Sequence, residues 1–253
     1  MTKVFDSHFH IIDHRFPLVA NQGYLPGEFS CEDYLRRTAG IGLIGGAVVS
    51  GSFQAFDQGY LRSALEVLGD RFVGVTQLPY TVTDEEILSL DDAGVRALRF
   101  NLRRGGAEDS RHLERMARRV YELVGWHVEL YVDSSRLGDL FPLLRRLPLL
   151  VIDHLGLSAV GWHDLLRLVE QGVQVKATGF GRVDFSIPGA LTQIHGINPG
   201  ALMFGTDLPS TRAPRPYQDS DLQLLIETLG VAGGEAVLYQ NALERYRPRV
   251  RPD

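Results

Sequence analysis

Eight short apolar runs alternate with amphipathic segments along nearly the whole chain, and this alternation limits the fold more than any other feature. Most of the runs are continuously apolar, which is typical of strands buried on both faces of a parallel sheet. The predicted strands cover residues 4–8, 46–49, 72–76, 97–101, 127–132, 149–153, 173–177 and 202–205. Eight strands with intervening helices predict an α/β fold, a single and slightly distorted (β/α)8 TIM barrel.

The segments between the predicted strands carry the periodicity and the end signals of helices. Leu113, Met116 and Val120 recur at helical spacing before Gly125, and glycine commonly ends a helix. Thr83 precedes three acidic residues in the pattern of a helix N-cap. We therefore expect helices to begin after residue 83 and to end near residue 125.

A doubly wound open sheet is the alternative architecture for alternating strands and helices. Such a sheet would carry a Gly-rich phosphate turn after an early strand, whereas the glycines of residues 42–46 come before one. The sequence contains no linker composition and no internal repeat. We therefore expect one barrel domain over residues 1–246, followed by a flexible C-terminal tail over residues 247–253.

Composition and charge argue against several classes of protein. The formal net charge of -5 disfavours nucleic acid, which binds basic surfaces. Apolar runs stay short of the roughly 20 residues that a membrane span needs, and the first residues resemble a core strand instead of a leader. Cys31 is the single cysteine, which excludes an internal disulfide and a multi-thiolate zinc site. We expect a cytoplasmic protein that binds neither nucleic acid nor membrane, with a homo-oligomer as an open alternative.

Two histidines stand at the end of the first predicted strand. His8 and His10 are two residues apart, and side chains at that spacing on a strand point to the same face. Two imidazoles that converge on one space suit a metal, an anionic substrate or a carbonyl that is being polarised. In a barrel, working residues lie at the carboxyl ends of the strands and in the loops that follow.

Further polar residues occur at the carboxyl ends of the other predicted strands or just beyond them. They are Ser52, Arg99, Arg103, Arg104, Tyr131, His154, Arg182 and Asp207. Because these strand ends meet at one rim of a barrel, we expect the polar residues to share a pocket with the two histidines. Glu129 should lie one layer below Tyr131, where a buried carboxylate needs a cation, and Lys176 is the candidate.

Three motifs, in this order, resemble the amidohydrolase superfamily and more narrowly its amidohydrolase-2 branch. They are Asp-Ser-His-Phe-His at residues 6–10, Asp-His-Leu-Gly at residues 153–156 and Gly-Thr-Asp-Leu-Pro at residues 205–209. Within that branch the chain resembles the 2-pyrone-4,6-dicarboxylate lactonases, which hydrolyse a cyclic ester bearing two carboxylates and need no metal. The expected activity is therefore opening of a small carboxylated lactone, and the expected partner is a small anionic substrate.

The resemblance implies a role for each matching residue. Four positions correspond to the catalytic set, with an acid that activates water and histidines that stabilise the carbonyl oxygen: Asp207, His8, His10 and His154. A second set corresponds to substrate-binding positions: Tyr24, Ser52, Arg99, Arg103, Arg104, Tyr131 and Arg182. Of the two adjacent arginines in the fourth loop, one is expected to face the substrate.

The resemblance also bears on metal binding. The fourth strand offers Arg99 and Asn101 where binuclear relatives have a bridging lysine or glutamate, and the fifth offers Tyr131 where they have histidine. No metal is favoured, although one zinc or manganese ion could bind to His8, His10 and Asp207. The alternatives are a mononuclear metal-dependent hydrolase or decarboxylase of the same superfamily, and a non-catalytic barrel that binds dicarboxylates.

Overall fold

The computed structural model describes residues 2–250, and within that range one sheet of eight parallel strands pairs in chain order. The strands are β1 (Val4–Phe9), β2 (Leu43–Val49), β3 (Phe72–Thr76), β4 (Val95–Asn101), β5 (His127–Tyr131), β6 (Leu150–Ile152), β7 (Gln174–Ala177) and β8 (Leu202–Phe204). The α-helices of this range are α1 (Cys31–Thr38), α2 (Gly59–Leu68), α3 (Asp84–Asp92), α4 (Leu113–Val124), α5 (Leu137–Leu144), α6 (Trp162–Glu170), α7 (Ile187–Ile197), α8 (Asp219–Glu235) and α9 (Asn241–Tyr246). This order confirms the (β/α)8 barrel, and the open-sheet alternative is wrong.

All eight predicted strands are present, with somewhat different bounds. β2 begins three residues before the predicted start because its glycine-containing first half still pairs with β1, where Phe5 faces Gly45. β6 and β8 end before the predicted residues, since Asp153 and Gly205 already belong to the turns that leave the sheet. Because both strands are short, the backbone beyond their carboxyl ends is irregular. The predicted polar residues lie in this irregular backbone.

The barrel closes irregularly between β1 and β8, in agreement with the predicted distortion. The backbone N–H of Asp207 donates to the carbonyl oxygen of His8 at 2.7 Å. The buried carboxylate of Asp6 accepts the backbone N–H and the hydroxyl of Thr206, at 2.8 and 2.6 Å. Burial raises the pKa of Asp6 to about 6, although these hydrogen bonds oppose the shift. The closure brings the ends of β1 and β8 together.

The helices follow their predicted signals. Thr83 caps α3, with its side chain accepting the backbone N–H of Glu86. Leu113, Met116 and Val120 of α4 are buried, and α4 ends before residue 125, as predicted. These apolar stripes cover the outside of the barrel, while a separate cluster fills the barrel's interior: Phe5, Ala47, Val49, Val73, Val75, Ala97, Val151 and Met203.

The segment Asp219–Tyr246 has the length and the mean hydropathy of 1.2 that a membrane span needs, contrary to the expectation that no run approaches one. The chain bends within it at Gly230 and passes through a π-helical turn at Ala236–Gln240. Leu225 and Val237 pack into the core, as in a helix that covers a barrel. Residues 251–253 of the predicted tail lie outside the described range, and at the start of the tail Arg247 donates to the carbonyl of Gly125 at 2.8 Å.

Candidate active site

One pocket at the carboxyl rim of the barrel collects most of the residues predicted from the strand ends. It is lined by His10, Gly51, Ser52, Phe53, Arg99, Asn101, Arg104, Tyr131, His154, Arg182, Thr211 and Arg212. His8 and Asp207 contact this lining, because the ring of His8 lies between those of His10 and His154 and Asp207 binds Arg182. Residues that are far apart in the chain thus share one polar space.

Three imidazoles and one carboxylate form the centre of this pocket. The rings of His8 and His10 are 5.1 Å apart and perpendicular, and the rings of His8 and His154 are 4.7 Å apart. A carboxylate oxygen of Asp207 and one nitrogen each of His8 and His10 lie within 4.8 Å of one another. Burial lowers the pKa of all three histidines, so the rings are neutral at neutral pH.

Two of these residues have an unusual backbone. His154 and Asp207 follow β6 and β8 with φ angles of 52° and 61°, a region that non-glycine residues rarely adopt. Such conformations persist where the surrounding structure enforces them, and they cluster at functional sites. Gly179 after β7 is part of that surrounding, because a Cβ there would lie 2.6 Å from Nδ1 of His154 and 2.9 Å from Cδ of Arg182.

Two arginines of the site bind carboxylates of the protein. Nε of Arg182 donates to Oδ2 of Asp207 at 2.6 Å. Nε and Nη2 of Arg99 both donate to Oδ2 of Asp153, at 3.2 and 2.9 Å. Burial would raise the pKa of Asp153, but the neighbouring charges of its cluster hold it well below its usual value. Both guanidiniums, which the sequence suggested for an anionic substrate, therefore already have internal partners.

A second polar cluster lies deeper, between β5 and β7. Nζ of Lys176 donates to Oε2 of Glu129 at 2.5 Å, which confirms the predicted pair. The other oxygen, Oε1, accepts the hydroxyl of Tyr246 at 2.5 Å and lies 3.1 Å from Nε2 of His127. Burial opposes ionisation of Glu129, but Lys176 and the hydrogen bond with His127 together outweigh it and lower the pKa to about 2. Lys176 also lies 3.2 Å from Nδ1 of His8, a contact that sequence reasoning missed.

The two adjacent arginines of the fourth loop differ in their position relative to the mouth of the pocket. Arg104 lines the pocket, whereas the side chain of Arg103 is 54% exposed and lies 3.8 Å from Asp133. Sequence reasoning missed Arg212, whose guanidinium lies 4.3 Å from the ring centre of Tyr24. A basic residue five positions beyond Asp207, in the loop after the last strand, was the available signal. Within residues 2–250, neither Arg104 nor Arg212 forms an ion pair with a carboxylate.

The uncharged residues that were predicted to bind the substrate lie near the charged groups of the pocket. Ser52 begins a short 3-10 turn after β2 and lines the pocket. The ring of Tyr131 lies 5.1 Å from that of His154 and 5.5 Å from the guanidinium of Arg99. Tyr24 does not line the pocket directly and reaches it through Arg212.

A family model described as Amidohydrolase, of the amidohydrolase-2 type, matches residues 5–247, which span the barrel apart from the first residue of β1. The chain belongs to the amidohydrolase family. Two curated relatives are similar to it. The 2-pyrone-4,6-dicarboxylate hydrolase of Comamonas testosteroni is 29% identical over 156 residues, covering 60% of this chain and 51% of that enzyme. The 4-sulfomuconolactone hydrolase of Hydrogenophaga intermedia is 25% identical over 245 residues, covering 87% of this chain and 80% of that enzyme.

This amidohydrolase thus spans about half the length of the first relative and four fifths of the second. A solved structure from Pseudomonas putida is 26% identical and superposes with a TM-score of 0.83, covering 99% of this chain and all of that one. The alignment therefore extends over the whole barrel.

Members of this family often use a divalent metal, so the donor atoms of the pocket are relevant. Two groups in the described chain are close enough to hold an ion: His8, His10 and Asp207, and His8, Asp153 and His154. In the first group, Nε2 of His8 and Oδ1 of Asp207 are buried with no hydrogen-bond partner among residues 2–250, so the positions of the donor atoms suit a mononuclear site. The second is less suitable, since Oδ1 of Asp153, the oxygen that Arg99 leaves free, lies 3.7 Å from the ammonium of Lys176.

Proposed function

We propose that this protein hydrolyses a small lactone that carries at least one anionic group. The observation that carries the proposal is the position of Asp207, whose carboxylate shares a buried pocket with three neutral imidazoles while Arg182 holds one of its oxygens. The two curated relatives are named for hydrolysing 2-pyrone-4,6-dicarboxylate and 4-sulfomuconolactone, and both compounds are lactones with acidic groups. Their names and this geometry support the same reaction class.

In the proposed reaction, Asp207 accepts a proton from water while the water oxygen attacks the lactone carbonyl carbon. Arg182 occupies Oδ2, so Oδ1 is the oxygen that receives the proton. The tetrahedral intermediate then collapses, the ring C–O bond breaks, and the proton on Asp207 passes to the departing ring oxygen. The product is an open chain with a new carboxyl group and a hydroxyl or enol.

The imidazoles stabilise the negative charge that forms on the carbonyl oxygen. A neutral histidine has one N–H that can donate a hydrogen bond. A hydrogen-bond donor that is already in position before the reaction increases the rate about 100- to 1000-fold. His8 and His154 are suited to this role because each has a buried ring nitrogen, Nε2 and Nδ1 respectively, with no partner in the part of the chain that the structure describes.

The anionic group of the substrate would bind at the mouth of the pocket. Arg104 and Arg212 line it and, among the described residues, form no ion pair with a carboxylate, in contrast to Arg99 and Arg182. A guanidinium binds a carboxylate or a sulfonate through paired hydrogen bonds of defined geometry. We therefore assign substrate binding chiefly to Arg104. Arg212 adds positive charge at the mouth, where its Nη1 and Nη2 donate to Asn21 at 3.2 and 2.6 Å, and the other two arginines orient the acids of the site.

A divalent metal, where bound, would be held by His8, His10 and Asp207 and would polarise the carbonyl or lower the pKa of water. The buried charges of the site already balance, with three cations against three carboxylates: Lys176, Arg99 and Arg182 against Glu129, Asp153 and Asp207. An added dication would disturb that balance, and an uncompensated buried charge is costly. For this reason the protein's own residues perform each proposed step.

The test is a screen of lactones with metal-stripped protein, read by the loss of ring absorbance. The panel contains 2-pyrone-4,6-dicarboxylate, a sulfonated muconolactone and an uncharged lactone of the same ring size as the control. We expect turnover of the anionic lactones alone. Absence of turnover that zinc restores would favour the metal-dependent hydrolase, for which the three-donor group is the supporting observation. Binding without turnover under both conditions would overturn the proposal in favour of a dicarboxylate-binding barrel.

A further inference from the structure

Lys176 is a fully buried ammonium group that the proposed reaction leaves without a role. It lies on β7, and its Nζ contacts Oε2 of Glu129 at 2.5 Å and Nδ1 of His8 at 3.2 Å. The contact with Glu129 alone would be sufficient to balance the charge of that buried carboxylate. The second joins the deep cluster to a histidine of the pocket.

The charged groups around Lys176 determine which of Lys176 and His8 donates the hydrogen bond between them. The carboxylates of Glu129 and Asp153 lie 2.5 and 3.7 Å from Nζ, and the ring of Tyr246 is within 5.7 Å. This surrounding stabilises an ammonium, which has three donors and no acceptor. Nδ1 of His8 must therefore be the acceptor, and the single proton of the neutral ring must be on Nε2.

Asp153 is the group that could favour the opposite tautomer of His8. Its Oδ1 is 3.4 Å from Nδ1 of His8, at the long limit of a hydrogen bond. Within residues 2–250 this oxygen makes no hydrogen bond of good geometry, whereas the contact between Lys176 and Nδ1 has one. The observed arrangement thus favours a proton on Nε2 while Lys176 is present.

His10 has the opposite arrangement. Its Nδ1 lies 2.7 Å from the carbonyl oxygen of Val49, which can only accept. The proton of His10 is therefore on Nδ1, and its Nε2 carries a bare lone pair. Two histidines that are two residues apart at the end of β1 thus present different groups to the pocket.

We propose that Lys176 is a positioning residue that sets the tautomer of His8, so that His8 is a hydrogen-bond donor in the pocket and His10 an acceptor. The assignment of chemical steps rests on the proposed function. His8 donates from Nε2 to the carbonyl oxygen of the lactone, and the bare Nε2 of His10 accepts a hydrogen bond from the attacking water. Asp207 and His10 together orient the water, while His8 polarises the carbon that it attacks.

The same arrangement acts against a metal ion at His8. A ligating nitrogen must offer its lone pair, and Nε2 of His8 does so only if the proton moves to Nδ1. Lys176 opposes that transfer, because its ammonium would then face an N–H. Removing the ammonium should allow Nδ1–H to donate to Oδ1 of Asp153 and should leave Nε2 free for zinc.

The test compares the wild type with a double variant and a matched control. Lys176→Met combined with Glu129→Gln removes the ammonium and its counter-charge together, which avoids an unpaired buried carboxylate. The control is Tyr246→Phe, which deletes the other short hydrogen bond to Glu129 and leaves the contact between Lys176 and His8 in place. Both variants disturb the same interior cluster, and only the first removes the donor to His8.

The first measurement is the ¹⁵N spectrum of the histidine rings, with the His8 signals assigned by their loss in His8→Gln. In wild-type protein and in Tyr246→Phe we expect Nε2 of His8 protonated and Nδ1 bare, and in the double variant a shift of the proton to Nδ1. A proton on Nδ1 of His8 in the wild type overturns the proposal even if the double variant does not fold. An unchanged tautomer in a folded double variant overturns it as well.

The second measurement is the dissociation constant of zinc, determined by calorimetry on metal-stripped protein. We expect zinc to bind at least about tenfold more tightly to the double variant than to the wild type or to the control. Equal or weaker binding contradicts the role of Lys176. Neither measurement requires a substrate, so a wrong lactonase assignment would show in the lactone screen and leave these two results interpretable.

Discussion

Asp153 and Asp207 are both buried aspartates at the end of a strand, and each is held by an arginine, yet their surroundings differ. Asp153 has Arg99 on one oxygen and two further basic groups, His8 and Lys176, within 3.7 Å of the other. Asp207 forms an ion pair with Arg182 alone, among the described residues, and its second oxygen is buried with no hydrogen-bond partner in that range. Residue type and burial are thus the same for the two aspartates, and the number of neighbouring cations distinguishes Asp153 from the residue that we propose as the base.

This difference extends to the two layers of the site. We call Asp153, Arg99, Lys176 and Glu129 the floor, and Asp207, Arg182, Arg104 and Arg212 the rim. In the floor every charge has an opposite charge within the protein. In the rim, Arg104 and Arg212 have no carboxylate partner in residues 2–250, so no carboxylate balances their charge, although Nη1 and Nη2 of Arg212 donate to Asn21. We expect changes in the floor to alter stability and changes in the rim to alter catalysis.

The largest expected effect is that of Asp207→Asn on turnover. Removal of the general base should lower kcat about a thousandfold. The amide oxygen of asparagine still accepts from Nε of Arg182, so we expect a smaller loss of stability than for Asp153→Asn, whose carboxylate faces two cations instead of one. The measurement is steady-state turnover of the best lactone of the screen, together with urea unfolding. A near wild-type kcat would remove Asp207 from the mechanism.

The matched substitution in the floor, Asp153→Asn, should act mainly on stability. It leaves Arg99 and Lys176 without the shared negative charge, and breaking a buried ion pair costs about 3–5 kcal/mol. Urea unfolding at neutral pH measures the loss. If Asp153→Asn were as stable as the wild type while Asp207→Asn unfolded readily, the distinction between floor and rim would be reversed.

Below the floor, His127 should make stability depend on pH. Burial lowers the pKa of His127 from 6.5 to about 4, despite the opposing Glu129. The folded state therefore favours the neutral ring, and this contribution is complete above about pH 6.5 and is lost as the pH falls toward 4. The loss amounts to about 3 kcal/mol. Urea unfolding at both pH values should show a smaller decline in His127→Gln than in the wild type.

The exposed His163 provides the control for this pH experiment. His163→Gln makes the same chemical change on the surface of α6, and its stability should decline with acid as that of the wild type does. If the two variants gave the same curve, the ring of His127 would not be the source of the effect.

The smallest expected effect separates the two adjacent arginines of the fourth loop. Arg104→Met should raise KM for an anionic lactone about tenfold or more with little change in kcat, because a charge-assisted hydrogen bond contributes about 1.5–3 kcal/mol. Arg103→Met removes a partly exposed side chain near Asp133 and should leave KM unchanged. Equal effects of the two substitutions would contradict an anion site at the rim.

The sequence by itself determined the fold and most of the residues that share the pocket. Buried strands are continuous apolar runs, and their alternation with helical stripes predicts a barrel because both patterns are local. The closure of a barrel brings all strand ends to one rim, so the positions of His8, His154 and Asp207 in the chain were sufficient to predict a common pocket. The pairing of Glu129 with Lys176 followed from strand periodicity and from the cost of a buried charge.

Only the tertiary structure decided which charges are paired and which are available. Arg99 and Arg182 resemble Arg104 in the sequence, but they are tied to Asp153 and Asp207, whereas Arg104 and Arg212 have no carboxylate partner within the described range. The contact of Lys176 with His8 joins residues 168 positions apart. Electrostatic energies change over one or two ångströms, and a sequence pattern that fixes which strand end carries a residue does not fix distances on that scale.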